Sequence, residues 1–381
     1  MAEKKNVLII SASGNYGGME VHILNILEGL HKDFNFFVVC PNGNIVSEYE
    51  KYAKVIKLFP KFDIDPIYIL KIVRLLRILN ISVVHTHELK AGVNGLIAAS
   101  LLRLPLKISH QHTPISNWQV MSLQKRINAL VYRLSVNKLA SFEVALTSEI
   151  EKQKIKEGIK KEKIMVIPNG ISLKTFNFPR KLKIKYRIEM CDKYGINPQN
   201  LIVGCISRLT VEKGHNVLIK ALREMENAGS LSNIRFLFVG EGELRESLVR
   251  MVNSYNLANK VIFTGFVSEE EKVKILASLN IFIFPSLAEG FGIVLIEAMS
   301  VGLPCIVSDL PVLKDVAKES VLYFNSGEEK SLKEKVEKMA KSKSLREEFS
   351  KKALQQVKKY DIKKFWENYK KLYENTFSIP R

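Results

Sequence analysis

The sequence predicts an α/β protein made of two consecutive doubly wound domains. Two observations carry that reading. Short, β-branched apolar runs alternate with amphipathic helical stretches along nearly the whole chain. The alternation breaks once, in a lysine-rich stretch without pattern around Leu173 to Asn200, and then restarts. A chain of 381 residues also suits two cores, because single cores stop growing near roughly 250–300 residues.

In chain order, NVLIISAS reads as a buried strand, GNYGG as a loop and MEVHILNILEGL as a helix. FNFFVVC, ISVVHTH, LKISHQH and FEVALTS read as further strands, and KIMVIPNGI closes the first series. Within FDIDP, Asp65 precedes Pro66 and a helical run, so this Asp-x-Asp reads as a capped helix start, not a cation site. The second series is LIVGCISRL, IRFLFVGEG, KVIFTGFV, IFIFPS and GLPCIVSD. The expected domains are residues 1–175 and 196–355, with 356–381 as a closing helix. That helix is amphipathic, and Phe365, Trp366, Tyr369 and Tyr373 need a surface to cover. Two such domains facing each other would leave a cleft at the carboxyl ends of their strands, where open α/β sheets bind ligands.

Composition narrows the class. Hydrophobic content of 46% and charged content of 25% are those of a soluble globular protein. No apolar run approaches the roughly 20 residues that span a bilayer, and MAEKKNVLII lacks a signal-peptide cleavage site. Cys40, Cys191, Cys205 and Cys305 stand singly in apolar contexts, as reduced thiols of a cytoplasmic protein do. The formal charge of +19 asks for an anionic partner. The basic residues are mostly lysines spread over helices, without zinc-finger spacing or RNP-type aromatics, which argues against nucleic acid. A negatively charged membrane surface and a phosphorylated substrate remain.

The most informative stretch is AEGFGIVLIEA, Ala288 to Ala298. A helix starting near Phe291 or Gly292 presents unpaired N–H groups and a positive dipole end to an anion. Glycines at 290 and 292 allow close approach to the backbone. Glu289 and Glu297 cannot hold phosphate, but carboxylates accept paired hydrogen bonds from vicinal diols. A nucleotide sugar supplies a diol on the sugar and another on the ribose, with phosphates between. In RLTVEKG, Arg208 and Lys213 follow a strand and offer two positive charges to a leaving diphosphate.

With GGME, SRLTVEKG, VGEGE, TGFV and PSLAEGFGIVLIEA in this order, the chain resembles the retaining GT-B glycosyltransferases of family 4 over nearly its whole length. The resemblance implies a metal-independent hexosyltransferase without cofactor, taking a nucleotide-diphosphate sugar as co-substrate. It implies that Glu297 holds the ribose hydroxyls and Glu289 those of the donor sugar. The backbone of Phe291, Gly292 and Ile293 would meet sugar and phosphate, Arg208 and Lys213 the diphosphate. Gly240 and the TGFV segment, with Phe266 and Val267, would border the donor. Gly17 and Gly18 would approach donor phosphate from the other domain, and His112 would match the family histidine near the reacting carbon. The last helix would cross back onto the first domain.

Other readings compete. GNYGG lacks the G-x-G-x-x-G order, and the second strand ends without an acid for a ribose, which disfavours a nicotinamide cofactor. His85, His87, His110 and His112 form two His-x-His pairs at strand ends, so a metal-dependent hydrolase is the sharpest rival. No Asp or Cys accompanies them, and Glu88 alone is adjacent. GT-B epimerases share the fold, but their acid pattern differs from E-x7-E. Finally, WQVMSLQKRINALVYRLSVNKLA carries Val120, Leu123, Ile127, Leu130 and Leu134 at helical spacing, edged by Lys125, Arg126, Arg133 and Lys138. The helix from Ile67 to Leu79 repeats the theme with Lys71, Arg74 and Arg77. An apolar stripe edged with cations suits a peripheral enzyme at the inner face of the cell membrane. The acceptor would then be a lipid or lipid-linked glycan in cell-surface polysaccharide synthesis. The bland alternative is that both stripes pack on the first sheet.

Overall fold

The computed structural model describes residues 4–117 and 122–375. Trp118 and Val120 of the cation-edged stretch lie outside the described residues. The chain divides into two compact units, Met1–Gly170 with Ile362–Arg381, and Ile171–Asp361. No described helix is long and apolar enough to cross a membrane.

The first unit holds a parallel sheet of β1 (Asn6–Ile10), β2 (Asn35–Cys40), β3 (Lys54–Lys57), β4 (Val83–His87), β5 (Leu106–His110), β6 (Phe142–Ala145) and β7 (Ile164–Val166). Their order is β3-β2-β1-β4-β5-β6-β7. Alternation along β1 splits the core. Val7 and Ile9 pack toward the helices Gly18–Leu30 and Ile362–Glu374, while Leu8 and Ile10 pack toward Pro66–Ile78 and Leu89–Leu101. Asp65 caps Pro66–Ile78, accepting from the Tyr68 amide at 3.0 Å, with proline in the first turn. The closing helix Ile362–Glu374 buries Phe365, Tyr369, Leu372 and Tyr373 on this unit. The Trp366 indole donates to the Asn25 carbonyl at 2.8 Å.

The second unit repeats the plan with β8 (Leu201–Ile206), β9 (Ile234–Val239), β10 (Val261–Gly265), β11 (Ile281–Phe284), β12 (Cys305–Ser308) and β13 (Leu322–Phe324). All pairings are parallel, in the order β10-β9-β8-β11-β12-β13. Each sheet reverses strand order once, beside β1 and β4 in the first and beside β8 and β11 in the second, and such switch points are where open α/β sheets bind ligands.

Two edge strands escape the sequence pattern. β3 has only two half-buried residues between lysines, and β13 is three residues long. The stretch read as patternless contains a helix, Arg180–Tyr194, closed by Gly195 at φ +64°. Only Met190 and Cys191 of it are buried, so no apolar stripe marks it. Arg187 fastens it to the second unit by donating to the carbonyls of Ser278 at 2.7 Å and Asn200 at 2.6 Å. The four cysteines are free and buried.

Candidate functional site

In the second unit the loops after β8 and β11 meet at the switch point. The Leu287 amide donates to the Glu212 carbonyl at 2.7 Å. Gly214, at φ +67°, lies so close to the Pro285 carbonyl that a Cβ would stand 2.0 Å from its oxygen. That close approach puts Lys213 against Glu289: Nζ donates to Oε1 at 2.5 Å, and Ser286 Oγ donates to the same oxygen at 2.8 Å. The Glu289 side chain is only 8% exposed, so this carboxylate is not a solvated surface group.

Three residues on, Gly292 adopts φ +88° and caps the helix Ile293–Ser300. A left-handed cap is where glycine carries no Cβ penalty, and the first amides of this helix have no intrahelical acceptor. The Phe291 ring is buried edge-on against Tyr360 at 5.5 Å, so at this position only the backbone is available to a ligand. One turn into the helix, Glu297 is 5% exposed and accepts from Lys272 at 2.9 Å. Among the described residues its Oε2 has no hydrogen-bond partner. Burial pushes the Glu297 carboxyl above its ordinary range, and the Lys272 ammonium opposes the shift.

Arg208 stands apart, with its side chain 67% exposed and a 3.4 Å ion pair to Glu212. Gly240, at φ +133°, ties the end of β9 to Gly265 through a 3.0 Å amide bond, and a Cβ there would lie 2.1 Å from the Ser207 carbonyl oxygen. Phe266, just past β10, is exposed, and Val267 is half-buried. The structure thus pairs each glutamate of the E-x7-E motif with a lysine. Lys272 lies on Glu269–Ser278, where no sequence signal ties it to Glu297.

In the first unit, Gly17 is extended at φ −168° and caps Gly18–Leu30. A Cβ on Gly18 would meet nothing within 4 Å, so packing does not require glycine there. His112 is buried, stacked on His110 with ring centroids 3.8 Å apart, and its Nε2 lies 3.0 Å from His87 Nδ1. His22, on Gly18–Leu30, joins them edge-on, 5.0 Å from His112. The cluster of five imidazoles, completed by His85, lies under the closing helix. Tyr373 Oη meets His85 Nδ1 at 2.8 Å, and Tyr369 Oη meets His22 Nε2 at 3.0 Å. Burial lowers the His22 imidazole to about 4 and the other four well below the ordinary value.

The loop carrying His112 is anchored from below. Lys154, fully buried, donates to Glu143 Oε1 at 2.5 Å, to the Gln111 carbonyl at 2.8 Å and to Tyr132 Oη at 3.0 Å. Glu88 follows β4 at φ +68°, a strained angle for a residue with a side chain, and bonds Gln111. Its carboxyl is pushed up to about 7 by burial. These supports come from distant segments, so spacing does not reveal them.

Residues 187–356 match the family described as glycosyl transferases group 1, and residues 16–175 match glycosyltransferase family 4. The putative glycosyltransferase EpsF of Bacillus subtilis (strain 168) is 27% identical over 320 residues, which are 81% of this chain and 80% of EpsF. The UDP-Gal:alpha-D-GlcNAc-diphosphoundecaprenol alpha-1,3-galactosyltransferase of Escherichia coli is 29% identical over 72% of this chain and 66% of its own. Among solved structures, Anabaena Alr3699/HepE in complex with UDP and glucose superposes with a TM-score of 0.84 at 19% identity, covering 97% of this chain and 100% of that one.

Proposed function

The chain belongs to the group 1, family 4 glycosyltransferases and has the GT-B architecture, and we propose that it transfers a sugar, with retention, from a nucleoside-diphosphate donor to a hydroxyl of a lipid-linked glycan. The observation that carries the donor side is the pair of lysine-held carboxylates flanking the Gly292 cap. Glu289 presents a fixed carboxylate to donor-sugar hydroxyls. Glu297 keeps one oxygen without a protein partner among the described residues, as a ribose diol would need. The helix cap offers amides to phosphate between them.

Lys213 and Arg208 supply the positive charge that the departing diphosphate requires, the role a divalent ion fills in other transferases. The exposed Arg208–Glu212 pair is weak enough to exchange Glu212 for a diphosphate. For Gly17, Gly18 and His112 the roles are those the family resemblance implies, approach to phosphate by the glycines and orientation of the sugar by His112. The acceptor hydroxyl attacks from the leaving-group side through an oxocarbenium-like transition state. The lipid-linked acceptor is supported by the diphosphoundecaprenol substrate named for the E. coli relative. Exposed apolar stripes on helices of the first unit also support it.

UDP-sugars are the first donors to test. Losing a charge-assisted hydrogen bond to the sugar should cost about 10- to 100-fold in turnover. Glu289→Gln should therefore lower kcat by that factor while calorimetric UDP binding is unchanged, and transfer by the native chain should need no added divalent ion. Glu297→Gln should weaken UDP binding itself. Equal loss of UDP binding and turnover in Glu289→Gln would assign that residue to the fold instead.

A further inference from the structure

We propose that His85, His87 and His110 form a binding site for one divalent transition-metal ion of the zinc class, buried in the first unit. The sequence offers two His-x-His pairs without an accompanying acid or thiol, which weighs against a metal. The fold changes that balance by joining the pairs. Parallel register sets His87 beside His110, and the two-residue period turns His85 to the same face as His87.

Ligand nitrogens of the three rings lie within 4.8 Å of one another. Nitrogens sharing one ion through bonds of about 2.0–2.1 Å stand closer together than this, so loading would draw the three rings inward. Among the described residues, Nε2 of His85, Nε2 of His87 and both ring nitrogens of His110 are buried without a hydrogen-bond partner. Four such atoms in one place ask for a reason. The remaining nitrogens are engaged: His85 Nδ1 meets Tyr373 Oη, and His87 Nδ1 meets His112 Nε2. One nitrogen toward an ion and the other held by an orienting partner is the pattern of metal-binding imidazoles.

A second grouping, His22 with His110 and His112, is equally compact. There both nitrogens of His22 are taken, by Asn169 and Tyr369, and His112 Nε2 is already on His87. The partnerless atoms select the first grouping. Neutral imidazoles without carboxylate or thiolate favour zinc, cobalt or nickel over magnesium or calcium. An ion on His87 Nε2 places the remaining proton on Nδ1, which then donates to His112 Nε2. His112 keeps its own proton on Nδ1. The ion thus fixes the tautomer of the residue proposed to orient the sugar, and it is a positioning element, not a reacting centre.

The test reads the metal directly, so its failure and failure of the transferase reading are distinguishable. The full chain, free of any histidine tag, is analysed by inductively coupled plasma mass spectrometry. It is also expressed in zinc-depleted medium supplied with Co²⁺, so that the ion enters during folding. The expected results are one equivalent of zinc in the first case and visible cobalt d–d bands in the second. His85→Cys should add a thiolate-to-cobalt charge-transfer band, and His31→Ala should leave the cobalt spectrum unchanged. Absence of bound metal in both preparations would overturn the proposal. So would a His85→Cys protein that shows the d–d bands without the charge-transfer band.

Discussion

His215 is the first residue of the helix His215–Asn227 and is 1% exposed. Burial, with the Lys213 charge adding to it, lowers the imidazole to about 4. Above pH 6.5 the ring is neutral in both folded and unfolded chains. Below that, the unfolded chain takes a proton that the folded one refuses, so stability falls with pH until about pH 4. Linkage sets the slope at about 1.4 kcal/mol per pH unit for one group, about 3 kcal/mol over the whole window. His215→Gln should remove this contribution. Native-state hydrogen exchange of the 215–227 amides, compared at about pH 7 and about pH 5, should show the variant losing about 2 kcal/mol less than the native chain. Identical losses would show that the imidazole protonates freely in the fold. Residues also mark the limit of what sequence reveals. Glu289 and Glu297 stand out because they share one segment with the glycines of a helix start. Lys272, Glu88 and the Lys154–Glu143 pair are single charged residues on unrelated elements, and only folding gives them partners.

At the scale of elements, legibility follows burial. Strands buried on both faces read as unbroken apolar runs, and β1, β8 and β11 emerge from the sequence for that reason. β3, β13 and the helix Arg180–Tyr194 bury too few residues to leave a period. The closing helix is legible by its aromatic face, yet the groove receiving it is not, because that groove is shaped by a missing side chain. A Cβ on Gly29 would stand 2.0 Å from Trp366 Nε1 and 2.2 Å from the adjoining ring carbons. The indole is rigid and bonded to the Asn25 carbonyl, so it cannot yield without lifting the helix. Alanine improves helix propensity by about 1 kcal/mol over glycine, but overpacking of this kind costs about 1–3 kcal/mol. Gly29→Ala should therefore be net destabilising in denaturant melts. Gly18→Ala, whose Cβ meets nothing within 4 Å, should be neutral or stabilising. Equal stability of the two variants would mean that the helix does not depend on this contact.

For the whole molecule, the formal charge of +19 and the exposed apolar helix faces bear on one question, where the acceptor is met. In Ser122–Leu139, Leu123 is 67% exposed, Ile127 53%, Leu130 46% and Leu134 45%. These four do not pack on the sheet. The helix Pro66–Ile78 divides its apolar residues: Tyr68, Ile69, Ile72 and Leu76 are buried, while Ile67, Leu70 and Ile78 face outward beside exposed Lys71, Arg74 and Arg77. Both helices pack on Leu89–Leu101, so the outward stripes belong to one layer. Each cation near an anionic bilayer contributes about 1 kcal/mol, and screening over about 10 Å at 0.1 M salt weakens that share without touching apolar insertion. The native chain should float with vesicles that contain anionic lipid, less so as salt rises, and poorly with neutral vesicles. Replacing Lys125, Arg126 and Arg133 by Glu should weaken flotation at low salt. Replacing Leu123 and Ile127 by Ser should weaken it while the dependence on salt persists. Failure of the native chain to float with anionic vesicles at low salt would leave the exposed stripes without a membrane role and direct the search toward a water-soluble acceptor.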